Sequence, residues 1–139
     1  MHKRILYVED NPQNMLLVRR ILDVTGYELL EATDGESGWQ KAMHEHPDLI
    51  LMDLRLPKGI SGFDLTRRLK AAPQLKHIPV IALTAFDTAE EQAMAAGCDG
   101  FLRKPADIRQ IRATITQHLG TSTPELVSEK VLSSFVAAY

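Results

Sequence analysis

Short, almost purely apolar runs alternate with longer segments of helical periodicity, and this alternation restricts the fold more than any other feature of the chain. The runs fall at residues 5–8, 27–30, 49–52, 80–83 and, more weakly, 100–102. The first, third and fourth are nearly continuous in apolar residues, the pattern of parallel strands covered on both faces. The segments between them read as helices. Asn11-Pro12 is a cap followed by proline at the first helical position, Met15, Val18 and Leu22 follow at helical spacing, and Gly26 closes the helix. A second helix is expected over residues 36–45, stopping before Pro47. A third starts after Ser61-Gly62 and carries Phe63, Leu65 and Leu69. A fourth, alanine-rich, covers 90–96 and is capped by Gly97. A fifth follows Lys104-Pro105, presents Ile108, Ile111, Ile115 and Leu119 on one stripe, and ends at Gly120.

Strict βα alternation with short links favours an α/β fold with a parallel sheet and helices on both faces. Five strands are too few for an eight-stranded barrel. Residues 1–120 make one domain, and residues 121–139 form a tail that breaks the pattern. The tail opens with Thr-Ser-Thr-Pro and then shows Leu126, Val127, Val131, Leu132, Phe135 and Val136, positions that suit one helix. That helix either packs on its own domain or frays, or it docks on a partner or a second copy.

The chain of 139 residues carries 45% hydrophobic residues, enough to bury one core without disulfides or structural metals. Sixteen basic against eighteen acidic residues give a net charge of −2, which argues against an electrostatic nucleic-acid binder or a polybasic membrane anchor. Cys98 stands alone, so no internal disulfide and no cysteine-based zinc site is expected, and beside Gly97 it reads as a small buried filler. No apolar run approaches the roughly 18 residues of a membrane span, and the start lacks a signal peptide's long apolar region. A cytoplasmic protein is expected.

In open parallel sheets, ligands bind outside the carboxyl ends of the strands. The first run ends in Glu9-Asp10, the third in Asp53, the fourth in Thr84, and the fifth is followed by Lys104-Pro105. The second, ending Glu31-Ala32-Thr33-Asp34-Gly35, reads as an ordinary polar turn. Taken singly, Asp53 is equally a turn aspartate, Asp10 equally a helix cap and Lys104 equally a surface lysine. Together, three carboxylates at one sheet edge repel one another and call for a cation. An all-oxygen set with few carboxylates suits Mg²⁺. An aspartate can accept a phosphoryl group as an acyl phosphate, while Mg²⁺ and lysine neutralise charge on its oxygens and the Thr84 hydroxyl stands beside small Ala85.

Glu9-Asp10, Asp53, Thr84-Ala85 and Lys104-Pro105 on a (βα)5 pattern resemble the receiver domain of two-component response regulators, over about residues 3–119. The resemblance implies a doubly wound sheet in the order 2-1-3-4-5, which puts strand two at an edge and explains why its end carries no site residue. It implies that Asp53 is the phosphoacceptor and that Asp10, Asp53 and the backbone carbonyl of Arg55 bind Mg²⁺, with Glu9 acting mainly through a metal-bound water. Lys104 would pair with Asp53 or its phosphoryl group, and Thr84 would hydrogen-bond the phosphoryl oxygen on activation. Phe101 matches an aromatic switch position that moves inward with Thr84, although a permanently buried core phenylalanine is the alternative. Arg55 and Phe86 match positions that tune acyl-phosphate lifetime, or are simply exposed loop residues. Lys104-Pro105 invites a cis bond.

Two spacings depart from the common receiver pattern: the loop over residues 56–62 is one residue longer, and the interval from Thr84 to Lys104 is about two shorter. The implied partners are a histidine kinase or histidine phosphotransfer protein and a downstream protein target, with a monomer or phosphorylation-dependent homodimer as the assembly. The implied role is a stand-alone phosphoacceptor that either switches a protein-interaction surface or passes the phosphoryl group onward in a relay. It assists its own phosphorylation and dephosphorylation and is not an enzyme with an external product. A receiver fold kept for protein binding alone is the alternative. A metal-dependent phosphatase lacks room for a cap domain. A flavodoxin-like cofactor binder would need a glycine-rich phosphate cradle where this chain has the acidic Asp10-Asn11-Pro12 loop. No nucleophile-elbow motif supports a Ser/His/Asp hydrolase, and His44, His46, His77 and His118 read as solvated surface.

Overall fold

The computed structural model describes residues 3–56, 58–85, 90–104 and 106–120. In chain order the elements are β1 (Arg4–Val8), α1 (Pro12–Thr25), β2 (Glu28–Ala32), α2 (Gly35–Glu45), β3 (Leu49–Met52), α3 (Gly62–Ala71), β4 (Val80–Thr84), α4 (Glu90–Ala96), β5 (Gly100–Arg103) and α5 (Ile108–Leu119). Every strand pairing is parallel, and the order across the sheet is β2-β1-β3-β4-β5. The three continuous apolar runs are therefore the three inner strands. All of β3 and β4, and residues 5–8 of β1, are buried.

Alternation along the strands splits the interior into two cores. Ile5, Tyr7, Leu49, Leu51, Ile81 and Leu83 face α1 and α5, meeting Val18, Leu22, Ile111 and Ile115. Leu6, Val8, Ile50, Met52, Val80 and Ala82 face the other way, toward Ala42 of α2, Leu65 and Leu69 of α3 and Ala93 of α4. Cys98 packs in this second core as a buried, unpaired thiol.

Helix ends follow local rules with one addition. Asn11 caps α1 through Gln13 N–H and Asn14 N–H, and Gly26 closes it with a left-handed φ of 84°. Asp34, read from sequence as part of a polar turn, caps α2 in a reciprocal pair with Ser37, so α2 begins at Gly35 rather than at residue 36. Strand β2 lies later than the apolar run at 27–30. The N–H of Tyr27 closes the end of α1 on the Leu22 carbonyl, and its ring joins the first core. An edge strand needs no continuous apolar run, so β2 carries Glu28 and Glu31, the latter held in a two-pronged ion pair by Arg19. His44, His46 and His77 are exposed as expected, whereas His118 is half-buried with Nδ1 on the Thr114 carbonyl at 2.9 Å. The tail at 121–139, and with it the expected terminal helix, lies outside the described residues.

Candidate phosphoacceptor site

The strand register builds the site. Val8 pairs with Met52, so the next residues, Glu9 and Asp53, leave the sheet side by side at its carboxyl edge. Asp53 N–H donates to the Val8 carbonyl at 3.0 Å, and Glu9 N–H to the Ala32 carbonyl at 2.9 Å. Here the chain turns to β2 on one side of β1 and to β3 on the other, the crevice where doubly wound sheets bind ligands. On the far side of β3, Thr84 pairs with Arg103, and Lys104 N–H donates to the Thr84 carbonyl at 2.9 Å. This delivers the Lys104 side chain to the carboxylates.

Glu9, Asp10 and Asp53 each offer a carboxylate oxygen within 4.8 Å of the others. Glu9 and Asp53 are buried, at 1% and 6% exposure, while Asp10 faces solvent. Lys104 Nζ donates to Glu9 Oε1 and lies 3.4 Å from Asp53 Oδ2. The Arg55 N–H donates to Asp53 Oδ1 at 3.0 Å. Thr84 is buried at the same edge, and Ala85 is exposed beside it. A cleft of about 530 Å³, lined by Asp10, Leu54, Arg55, Leu56, Ser61 and Phe63, opens next to the carboxylates.

The two buried acids are shifted in opposite directions. Burial pushes the Asp53 carboxyl up to about 6, against the pull of Lys104 and the Arg55 N–H. Burial also raises Glu9, but hydrogen bonds from Lys104 and Tyr7 outweigh it and hold that carboxyl below its usual range. Glu9 is thus the lysine's main partner and Asp53 the under-compensated one. The donor set fits Mg²⁺: the atoms are all oxygens, Asp10 is open to solvent for metal-bound waters, and Asp53 lacks full compensation from the protein.

Sequence reasoning missed three residues. Tyr7 OH donates to Glu9 Oε1 at 2.6 Å, Asn14 Nδ2 to the same oxygen at 3.3 Å, and the Asn11 N–H to Glu9 Oε2 at 3.1 Å. Tyr7 was legible only as an apolar strand residue, and no spacing rule reports that its hydroxyl reaches past the end of β1. Phe101, paired with Ala82, is half-buried and packs against the second core. Phe86 and Pro105, and so the expected shield and the expected cis bond, lie outside the described residues.

The sequence model of the response regulator receiver domain matches residues 5–116. The chain belongs to that family. It is 41% identical over 122 residues to the polar-differentiation response regulator DivK of Brucella ovis, an alignment covering 86% of this chain and 98% of that protein. Among solved structures, it resembles the receiver domain of a sensor histidine kinase from Pseudomonas aeruginosa PAO1, which has a magnesium ion coordinated in its active site cleft. The TM-score there is 0.80 and the identity 32%, covering 86% of this chain and 99% of that one. It also resembles the chemotaxis response regulator CheY4 of Vibrio cholerae, with a TM-score of 0.79 and 26% identity, covering 86% of this chain and all of that one. The receiver fold and the order 2-1-3-4-5 expected from the sequence are the ones observed. Among the described residues, no helix is long and apolar enough to cross a membrane.

Proposed function

We propose that this receiver accepts a phosphoryl group on Asp53 from a phosphohistidine of a histidine kinase or histidine phosphotransfer protein. One observation carries the reading: a buried, under-compensated aspartate at the sheet edge, with Lys104 at 3.4 Å and two further carboxylates beside it. An Asp53 carboxylate oxygen attacks phosphorus and forms the acyl phosphate. The phosphorus–nitrogen bond of the donor breaks, and the imidazole leaves with the bonding electron pair.

Asp10, Asp53 and the Arg55 backbone carbonyl would hold Mg²⁺, which when bound supplies positive charge toward the phosphoryl oxygens. Lys104 moves onto a phosphoryl oxygen, and Thr84 donates its hydroxyl to another. Ordering of Thr84 draws Phe101 further into the second core. With no hydroxyl, that ring gains only from burial. The shift then biases the face formed by α4, β5 and α5 toward a downstream protein. Arg55 and Phe86 tune how long the acyl phosphate survives. In this reading the protein is a cytoplasmic signalling phosphoacceptor, a domain of residues 1–120 with a separate tail, and turns over no external substrate.

The test is intact mass after incubation with Mg²⁺ and a small phosphodonor. The parent should gain one phosphoryl group, lose the gain on chelation of Mg²⁺, and show none as Asp53→Ala. A folded parent that takes no phosphate from either a small donor or histidine-phosphorylated proteins would contradict the reading and leave a receiver fold used for binding alone.

A further inference from the structure

Glu9 is a buried carboxylate that loses its main partner in the reaction proposed above. In the resting structure its Oε1 receives Lys104 Nζ, Tyr7 OH and Asn14 Nδ2, and its Oε2 receives the Asn11 N–H. At 1% exposure, water does not replace a donor that departs. A buried carboxylate left short of donors carries its full desolvation penalty. When Lys104 turns from Glu9 to a phosphoryl group on Asp53, the donors from Tyr7, Asn11 and Asn14 remain. The shortest of them comes from Tyr7, at 2.6 Å against 3.1 Å and 3.3 Å. Tyr7 itself is fully buried in the first core, which fixes the direction of its hydroxyl.

We propose that Tyr7 is a positioning residue for the phosphorylation switch, its hydroxyl keeping Glu9 hydrogen-bonded and in place while Lys104 is released to the phosphoryl group. The inference rests on the phosphoacceptor reading of Asp53. The Tyr7 hydroxyl acts on the site through Glu9. It lowers the cost of the state in which Lys104 has left. Binding Mg²⁺ alone does not require Lys104 to leave Glu9, so the two events should respond differently to loss of the hydroxyl.

The experiment uses the full chain and two equilibrium titrations: Mg²⁺ by calorimetry, and fluoroberyllate, a stable mimic of the phosphoryl group, by fluorine NMR at saturating Mg²⁺. Tyr7→Phe removes one oxygen and keeps the ring. It should bind Mg²⁺ within about twofold of the parent and fluoroberyllate about tenfold more weakly, the order expected for a hydrogen bond to a charged acceptor. Asn14→Ala, at a half-buried position, should show the same split to a smaller degree. Equal fluoroberyllate affinity in parent and Tyr7→Phe overturns the inference. So does a parallel loss of both affinities, which would mark a merely structural role. A parent that takes no fluoroberyllate overturns the phosphoacceptor reading and the inference with it, an outcome visible before any variant is made.

Discussion

Among the described carboxyls, Asp53 is the one whose surroundings disfavour its negative charge. Burial raises its carboxyl to about 6 from an ordinary 3.8, and Lys104, engaged with Glu9, compensates it only in part. The folded state therefore binds a proton more tightly than the unfolded chain. The stabilising contribution of that proton is complete below about pH 4 and is lost as pH rises through about 6. Without metal, Asp53→Asn should be more stable than the parent at pH 7, by on the order of 2 kcal/mol. The gap should close near pH 4 and shrink when Mg²⁺ is added to the parent. Thermal unfolding across pH checks this, and equal stabilities at pH 7 would show that Asp53 is not strained. That Asp53, Glu9 and Lys104 meet at one sheet edge was open to sequence reasoning because each ends a strand or follows one. Tyr7 was not, because its ring obeys the core pattern while its hydroxyl obeys the site.

Elements hold the loop after β3 by close backbone approach. At Gly62, the first residue of α3, an added Cβ would lie 2.4 Å from the Asp53 carbonyl oxygen and 2.6 Å from Leu54 Cα. Only a hydrogen fits there. Gly62→Ala should cost about 1–3 kcal/mol in a urea titration, as overpacking does, and should slow phosphorylation by displacing Asp53. A variant of full stability and rate would contradict the tight-contact account. Asp34 offers the contrast. It caps α2 at the end of edge strand β2, on the side of the sheet edge away from Lys104. Asp34→Ala should lose about 1 kcal/mol of stability and leave the phosphorylation rate unchanged at temperatures where the fold is intact. Strands β1, β4 and β5 each run one residue beyond the apolar run, and the boundaries of β2 and α2 at this edge also differ from the sequence reading. Glu28 and Glu31 interrupt the apolar pattern of β2, and Asp34 looks like any loop aspartate until its pairing with Ser37 is seen.

Across the whole molecule, topology is what turns a list of weak residue signals into a site. The three inner strands β1, β3 and β4 are the three continuous apolar runs, so the sheet's interior could be read directly. Their order could not, because periodicity says which residues are buried and not which strand lies beside which. The order came from the family resemblance and is the one observed. It brings Glu9 and Asp53 into adjacent register and Lys104 across from the far side of β3, joining residues 95 positions apart in one hydrogen bond. By this convergence Asp53, and no other carboxylate, should be the residue that accepts the phosphoryl group. Borohydride reduction of the phosphorylated protein tests it most directly, since an aspartyl phosphate is reduced to homoserine at the residue that carried it. Peptide mass mapping should find homoserine at position 53 alone. Homoserine at position 10, or a phosphoryl group that resists reduction and maps to a hydroxyl or a histidine, would contradict the account.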